Sequence, residues 1–207
     1  GRGCVKEDSS GLTLEDQVEM MAGAAERGVK VVRLHTGDPS LFGAVSEQRR
    51  LLEERGLAVR LIPGVSSLQA ASAALGIQYT VPGGSQTVIC TRRGGRTPVP
   101  PKEDLKLLAA SGAAMVIFLS ADQAEAAASD LMAGGLPPQT PAACVYRASW
   151  EDEKVLRGPL AELPGLMKEA AIDRHALIIA GECLADSDGR SLLYSPSFSH
   201  GYREASE

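Results

Sequence analysis

Residues 103–133 read EDLKLLAASGAAMVIFLSADQAEAAASDLMA, and this stretch decides the fold class. Its centre, AAMVIFLS at 113–120, is an apolar run of strand length, the pattern of a strand buried on both faces. EDLKLLAAS (103–111) before it and DQAEAAASDLMA (122–133) after it carry apolar and small residues at helical spacing. A buried strand between two helices is the repeating unit of an α/β protein. Toward the C-terminus, PAACVYRA (141–148), EKVLRG (153–158) and HALIIAG (175–181) read as strands, with LAELPGLMKEA (160–170) as a helix. Toward the N-terminus, RRGGRTPVPP (92–101) is too rich in breakers for either, and QTVICT (86–91) is a β-branched strand.

The first third of the chain repeats the alternation. A helix follows Thr13, with Asp16 placed for a capping box, and Gly28 ends it. VKVVRLHT (29–36) and LAVRLI (57–62) read as buried strands around the helix AVSEQRRLLEERG (44–56), and LQAASAALG (68–76) is a small-residue helix. The expectation is two α/β domains, each with a largely parallel sheet: 1–82, 83–185 beyond the VPGGS interruption at 81–85, and an extended strap over 186–207.

A hydrophobic content of 44% supports a buried core. The net charge of −5 leaves no global field for a nucleic acid, so an anionic ligand must be met locally. No run is long and apolar enough to span a membrane, and GRGCVKEDSS is too polar for a signal-peptide core, so a cytoplasmic enzyme is expected. Cys4, Cys90, Cys144 and Cys183 lack pair spacing, and His35, His175 and His200 lack ligand spacing, so no metal site is expected.

Three loops carry candidate chemistry. TGDPSLFG (36–43) follows a strand, where open α/β sheets bind ligands. Gly37 permits close backbone approach, and Asp38 either binds a ligand or caps the next helix. In IPGVSS (62–67), Ser66 and Ser67 either cap the following helix or meet a carboxylate with its first amides. TRRGGRTP (91–98) places Arg92, Arg93 and Arg96 in a Gly-rich loop of an acidic chain, either to hold carboxylates or as a solvated charge run. No GxGxxG, Walker or GxSxG motif occurs. From the residues alone, the chain is a binder of an acidic small molecule.

RLHTGDPSLFGA, IPGVSSLQAASAALG, QTVICTRRGGRTPVP, VIFLSA, VYRASWEDEKVLRG and LYSPSFSHGYR together resemble the precorrin-4 and cobalt-precorrin-4 C-11 methyltransferases of the tetrapyrrole methylase family, over about residues 9–203. GDP and GVSS mark the wider family, and GRTPVP and FSHGYR narrow it to the C-11 enzymes. The resemblance implies a cobalamin-pathway enzyme, a homodimer of two-domain α/β chains with S-adenosylmethionine in the cleft and a polycarboxylate tetrapyrrole as substrate. It implies cofactor contacts on Gly37, Asp38, Phe42, Ser66, Ser67, Leu119, Tyr146, Arg147, Ala148, Ala176, Leu177 and Ile178, and gives Arg92, Arg93 and Arg96 the substrate carboxylates. Family members open with a strand and a GxGPGDP-like turn absent before Gly1, so the first domain is expected to be N-terminally truncated with an unpaired sheet edge. The expected reaction passes the sulfonium methyl to a ring carbon, leaving S-adenosylhomocysteine, with positioning as the main catalytic effect and no general base identifiable. The alternatives are methylation at another carbon of the same macrocycle and non-catalytic binding of tetrapyrrole or cofactor.

Overall fold

A computed structural model describes residues 3–186 and 189–205. Positions 187, 188, 206 and 207 of the expected strap therefore lie outside the described residues. The chain divides into two compact units, 1–66 and 67–207.

The first unit is built on two helices, α1 (Leu14–Glu26) and α2 (Val45–Glu54). Thr13 and Asp16 form the expected capping box, which satisfies amides the first turn leaves unpaired. Both helices end on a left-handed glycine, Gly28 at φ 76° and Gly56 at φ 76°. The next amide then reaches back across the last turn, Val29 to Ala24 and Leu57 to Leu52, each at 3.1 Å. Val18, Ala22 and Leu52 make the small shared core, and an Arg55–Glu19 ion pair at 2.7 Å closes its edge.

The two strands expected here do not form: 29–36 and 57–62 join no β-ladder, and Val32, Leu34 and Ile62 stand exposed. A β-branched run supplies at most about 1 kcal/mol of preference per residue, which depends on neighbours and cannot replace a hydrogen-bonded partner.

The second unit holds α3 (Ser67–Leu75), β1 (Val88–Arg92), α4 (Leu105–Ala109), β2 (Ala114–Phe118), α5 (Ala124–Ala133), β3 (Pro141–Tyr146), β4 (Lys154–Pro159), α6 (Leu163–Glu169) and β5 (Ala176–Ala180). Its five strands lie in the order β1-β2-β5-β3-β4. Only β1–β2 is parallel; β2–β5, β5–β3 and β3–β4 are antiparallel, which overturns the expectation of a largely parallel sheet. The cause is local at one point: β3 and β4 are joined by residues 147–153, too few for a helical crossover, so the chain makes a hairpin.

Alternation along the strands sorts the core. Met115 and Ile117 of β2, Ala142 and Cys144 of β3, and Ile178 and Ala180 of β5 meet Leu131 of α5 and Leu163 and Met167 of α6 in one cluster. Burying each of the larger side chains contributes about 1.5–3 kcal/mol. Helix α3 packs on β3 and β5, and the Arg157 guanidinium donates to the Leu75 carbonyl at 2.5 Å. That attachment is why α3, placed by sequence with the first domain, falls in the second unit. Edge strand β4 is largely exposed and carries Lys154 and Arg157, charges that discourage pairing with other chains. In the strap, the Arg203 guanidinium donates to the carbonyls of Leu193 (2.8 Å) and Ser195 (2.6 Å), drawing the segment into a turn. No described helix is long and apolar enough to cross a membrane.

Candidate functional site

Two of the loops singled out by sequence meet in the first unit. Gly37 adopts φ 71°, and the Asp38 carboxylate behind it accepts from the Ser40 amide at 2.8 Å, from the Ser40 hydroxyl, and from the Gly64 amide at 2.7 Å. These bonds, the Ser40 hydroxyl foremost, hold the Asp38 carboxyl below the usual carboxylate range. Asp38 therefore does not cap α2, whose preceding residue Ala44 makes no side-chain cap; it fastens its own turn to the Pro63-Gly64 turn.

Glycine is what lets the loops touch. A Cβ on Gly64 would stand 2.2 Å from the Gly37 carbonyl oxygen, and one on Gly43 would stand 2.5 Å from the Pro39 carbonyl oxygen. Phe42, at φ 56°, is 46% exposed beside this junction in the chain, and Ser66 is buried immediately before α3 begins at Ser67. Burial first, and the Arg33 charge second, lower the pKa of His35, nearby in sequence, below the ordinary imidazole value.

The remaining candidates gather at one end of the sheet. The registers Arg92↔Phe118, Ile117↔Ile178, Tyr146↔Ala176 and Tyr146↔Lys154 bring the carboxyl ends of β1, β2 and β3 together with the amino ends of β4 and β5. Here four non-glycine residues take left-handed conformations: Leu119 (φ 52°), Arg147 (φ 47°), Ser149 (φ 72°) and His175 (φ 54°). Such conformations cost of order 1–3 kcal/mol each and concentrate at functional sites. Local bonds hold three of them, with the Arg147 carbonyl accepting from the Trp150 amide, the His175 carbonyl from the Arg147 amide, and the Ser149 amide donating to the Glu153 carboxylate, while Leu119 is left 67% exposed. Of the other expected cofactor contacts, Leu177 and Ile178 are buried within the sheet, and Ala176 stands at its rim.

Arg147 is the most elaborately held residue of this end. Its amide donates to the His175 carbonyl at 2.9 Å, and its guanidinium lies 5.1 Å from both the Tyr146 and Trp150 rings and pairs with Asp152 at 2.5 Å. The Arg147 Nε is buried with no hydrogen-bond partner among the described residues. Ser149, Trp150, Glu151 and Asp152 line an open depression of about 500 Å³ beside it.

The three loop arginines have different surroundings. Arg92 donates to the carbonyls of Thr97 (3.0 Å) and Pro98 (2.7 Å). Arg93 pairs with Asp130 at 2.7 Å and donates to the Gln123 side chain at 2.7 Å, while its amide donates to the Ser120 hydroxyl at 2.9 Å. Arg96 is exposed and makes no hydrogen bond or ion pair among the described residues. Ser120, Gln123, Asp130, Trp150 and Asp152 were not singled out from sequence. A polar Ser120 closing an apolar run was the one local signal, and the other four acquire their roles only through the fold.

The strand-end turns and loop arginines belong to an α/β fold, and the chain is a member of the tetrapyrrole (corrin/porphyrin) methylases, whose family model matches residues 4–164. It is 46% identical to a cobalt-precorrin-4 C(11)-methyltransferase of Methanocaldococcus jannaschii, over 96% of this chain and 77% of that relative. Among solved structures it resembles a cobalt precorrin-4 methyltransferase of cobalamin biosynthesis, with TM-score 0.83 and 39% identity, covering 86% of this chain and 74% of that one. It also resembles the uroporphyrin-III C-methyltransferase of Thermus thermophilus complexed with S-adenosyl homocysteine, with TM-score 0.67 and 27% identity over 82% and 74% of the two chains.

Proposed function

We propose that this protein transfers a methyl group from S-adenosylmethionine to C-11 of precorrin-4 or cobalt-precorrin-4 in cobalamin biosynthesis, acting as a cytoplasmic homodimer. The observation that carries the reading is likeness to a named C(11)-methyltransferase across 96% of the chain. Methylation at another carbon is the second reading, and the lower identity, 27% against 46%, to the uroporphyrin enzyme weighs against it.

The residues fit the cofactor. S-adenosylmethionine is a compact zwitterion with a purine, and a backbone-rich site with small residues suits it. In the first unit the proposed contacts are Gly37, Asp38, Phe42 and Ser66; the close Gly37–Gly64 approach leaves a surface without side chains, and Phe42 supplies an exposed aromatic face. In the second they are Ser67, Leu119, Tyr146, Arg147, Ala148, Ala176, Leu177 and Ile178, with Leu119 exposed in a left-handed turn. The cofactor supplies an electrophilic methyl on sulfur. A ring carbon of the substrate would be the nucleophile toward that methyl, with the sulfur–methyl electron pair left on sulfur as S-adenosylhomocysteine departs. The chain's own work is therefore to orient both partners, which can lower a barrier by about 7–11 kcal/mol without a side-chain nucleophile. The Arg92–Arg96 loop holds substrate carboxylates.

The test is incubation with methyl-labelled S-adenosylmethionine and each tetrapyrrole, locating the label by NMR, alongside calorimetric titration with S-adenosylhomocysteine. Label at C-11 is expected. Label at another carbon refutes the position, and a folded protein that binds no S-adenosylhomocysteine refutes the methyltransferase reading.

A further inference from the structure

We infer that the three loop arginines divide their labour: Arg96 alone meets a carboxylate of the tetrapyrrole, and Arg92 and Arg93 are positioning residues that hold the loop so that Arg96 is presented. The inference rests on the proposed substrate class. Its basis is where each guanidinium points. Arg92 closes the loop on itself through the Thr97 and Pro98 carbonyls. Arg93 ties the loop's other side to α5 and the turn before it, through Asp130 and Gln123, with the Ser120 hydroxyl receiving its amide.

Ser120 is fully buried and also donates to the Phe118 carbonyl at 2.7 Å, so the anchor reaches the carboxyl end of β2. Gly95 lies against Gln123, where a Cβ would come 2.6 Å from the amide nitrogen; the loop backbone and the Arg93 anchor pack as one body. Arg96 is the member left exposed and unengaged among the described residues. It stands four residues beyond the β1 carboxyl end, the same sheet end that carries the left-handed turns. A guanidinium already bonded on two sides has little fork left for a ligand, whereas a free one on a braced loop loses less freedom when a carboxylate arrives.

The experiment reads binding, so that it stands apart from turnover. Uroporphyrin III, a stable polycarboxylate tetrapyrrole, is titrated against the intact chain, following the fluorescence of Trp150, the single tryptophan, 58% exposed at the same sheet end. Arg96→Ala is expected to weaken binding about tenfold or more, as loss of a charge-assisted bond does, with unchanged melting temperature, and Arg96→Lys to restore part of it. Arg93→Gln and Asp130→Asn are expected to weaken binding when Arg96 is present and to add nothing once Arg96 is alanine, a coupling that mere destabilisation does not produce.

Wild-type affinity in Arg96→Ala, absence of uroporphyrin binding by the wild type, or additive losses in the double variants each overturn the inference. Coupled losses without methyl transfer would uphold it while removing the proposed reaction. Methyl transfer with an indifferent Arg96 would do the reverse.

Discussion

Replacing Gly64 by alanine tests whether the contact between the two first-unit turns matters to function. The added Cβ would sit 2.2 Å from the Gly37 carbonyl oxygen and 3.1 Å from its carbon, both backbone atoms that cannot swing aside as a side chain can. A comfortable carbon–oxygen separation is about 3.3 Å, so the turns must part by about 1 Å. That movement stretches the 2.7 Å bond from the Gly64 amide to Asp38 beyond hydrogen-bonding reach. Overpacking of this kind costs about 1–3 kcal/mol, and a 1 Å displacement of a positioning element can cost about 100-fold in rate. The assay is methyl transfer at saturating tetrapyrrole, with S-adenosylhomocysteine calorimetry and thermal melting on the same samples. The expected result is a modest fall in melting temperature with a loss of activity near 100-fold and weakened cofactor binding. Wild-type cofactor affinity and rate in a Gly64→Ala protein would refute the assignment of this junction to the cofactor site, whatever the melting temperature did.

Two further outcomes follow from charge and burial. The Asp38 carboxyl titrates below its ordinary value of about 3.9, chiefly because Ser40 and the Gly64 amide bond to its ionised form. A depressed folded-state pKa adds stability above the unfolded value and loses it as pH falls through the folded one; denaturant midpoints should therefore drop in acid more steeply in wild type than in Asp38→Asn, and parallel curves would contradict the role given to Asp38. Burial pushes the Cys144 thiol up to about 12, while Cys4 is exposed, so brief alkylation at neutral pH should label Cys4 and leave Cys144 untouched until the protein unfolds, as peptide mass mapping will read; early labelling of Cys144 would deny its burial.

The second unit was legible strand by strand and helix by helix because burial leaves a pattern in the sequence: the run at 113–120 is the fully buried β2, and the apolar segments at 141–148 and 175–181 are β3 and β5. Strand order was not, since nothing in HALIIAG names β2 and β3 as its neighbours. The hairpin could have been read, because seven residues between Tyr146 and Lys154 cannot hold a crossover helix. In the first unit, propensity without a partner misled at 29–36 and 57–62.

The candidate site shows the same division between what a residue is and what it touches. Glycine positions survive the passage from sequence to structure, since Gly37 and Gly64 matter for lacking a side chain, a property that needs no partner to define it. Arginines do not. Arg92, Arg93 and Arg96 are equal in composition, and only the fold, by setting Asp130 beside Arg93 and the loop's own carbonyls beside Arg92, makes two of them framework and leaves one outward. A cluster of cations in sequence thus sets an upper bound on the ligand charges a loop can meet. The number actually free is what remains after the carboxylates and carbonyls of the fold have taken their share.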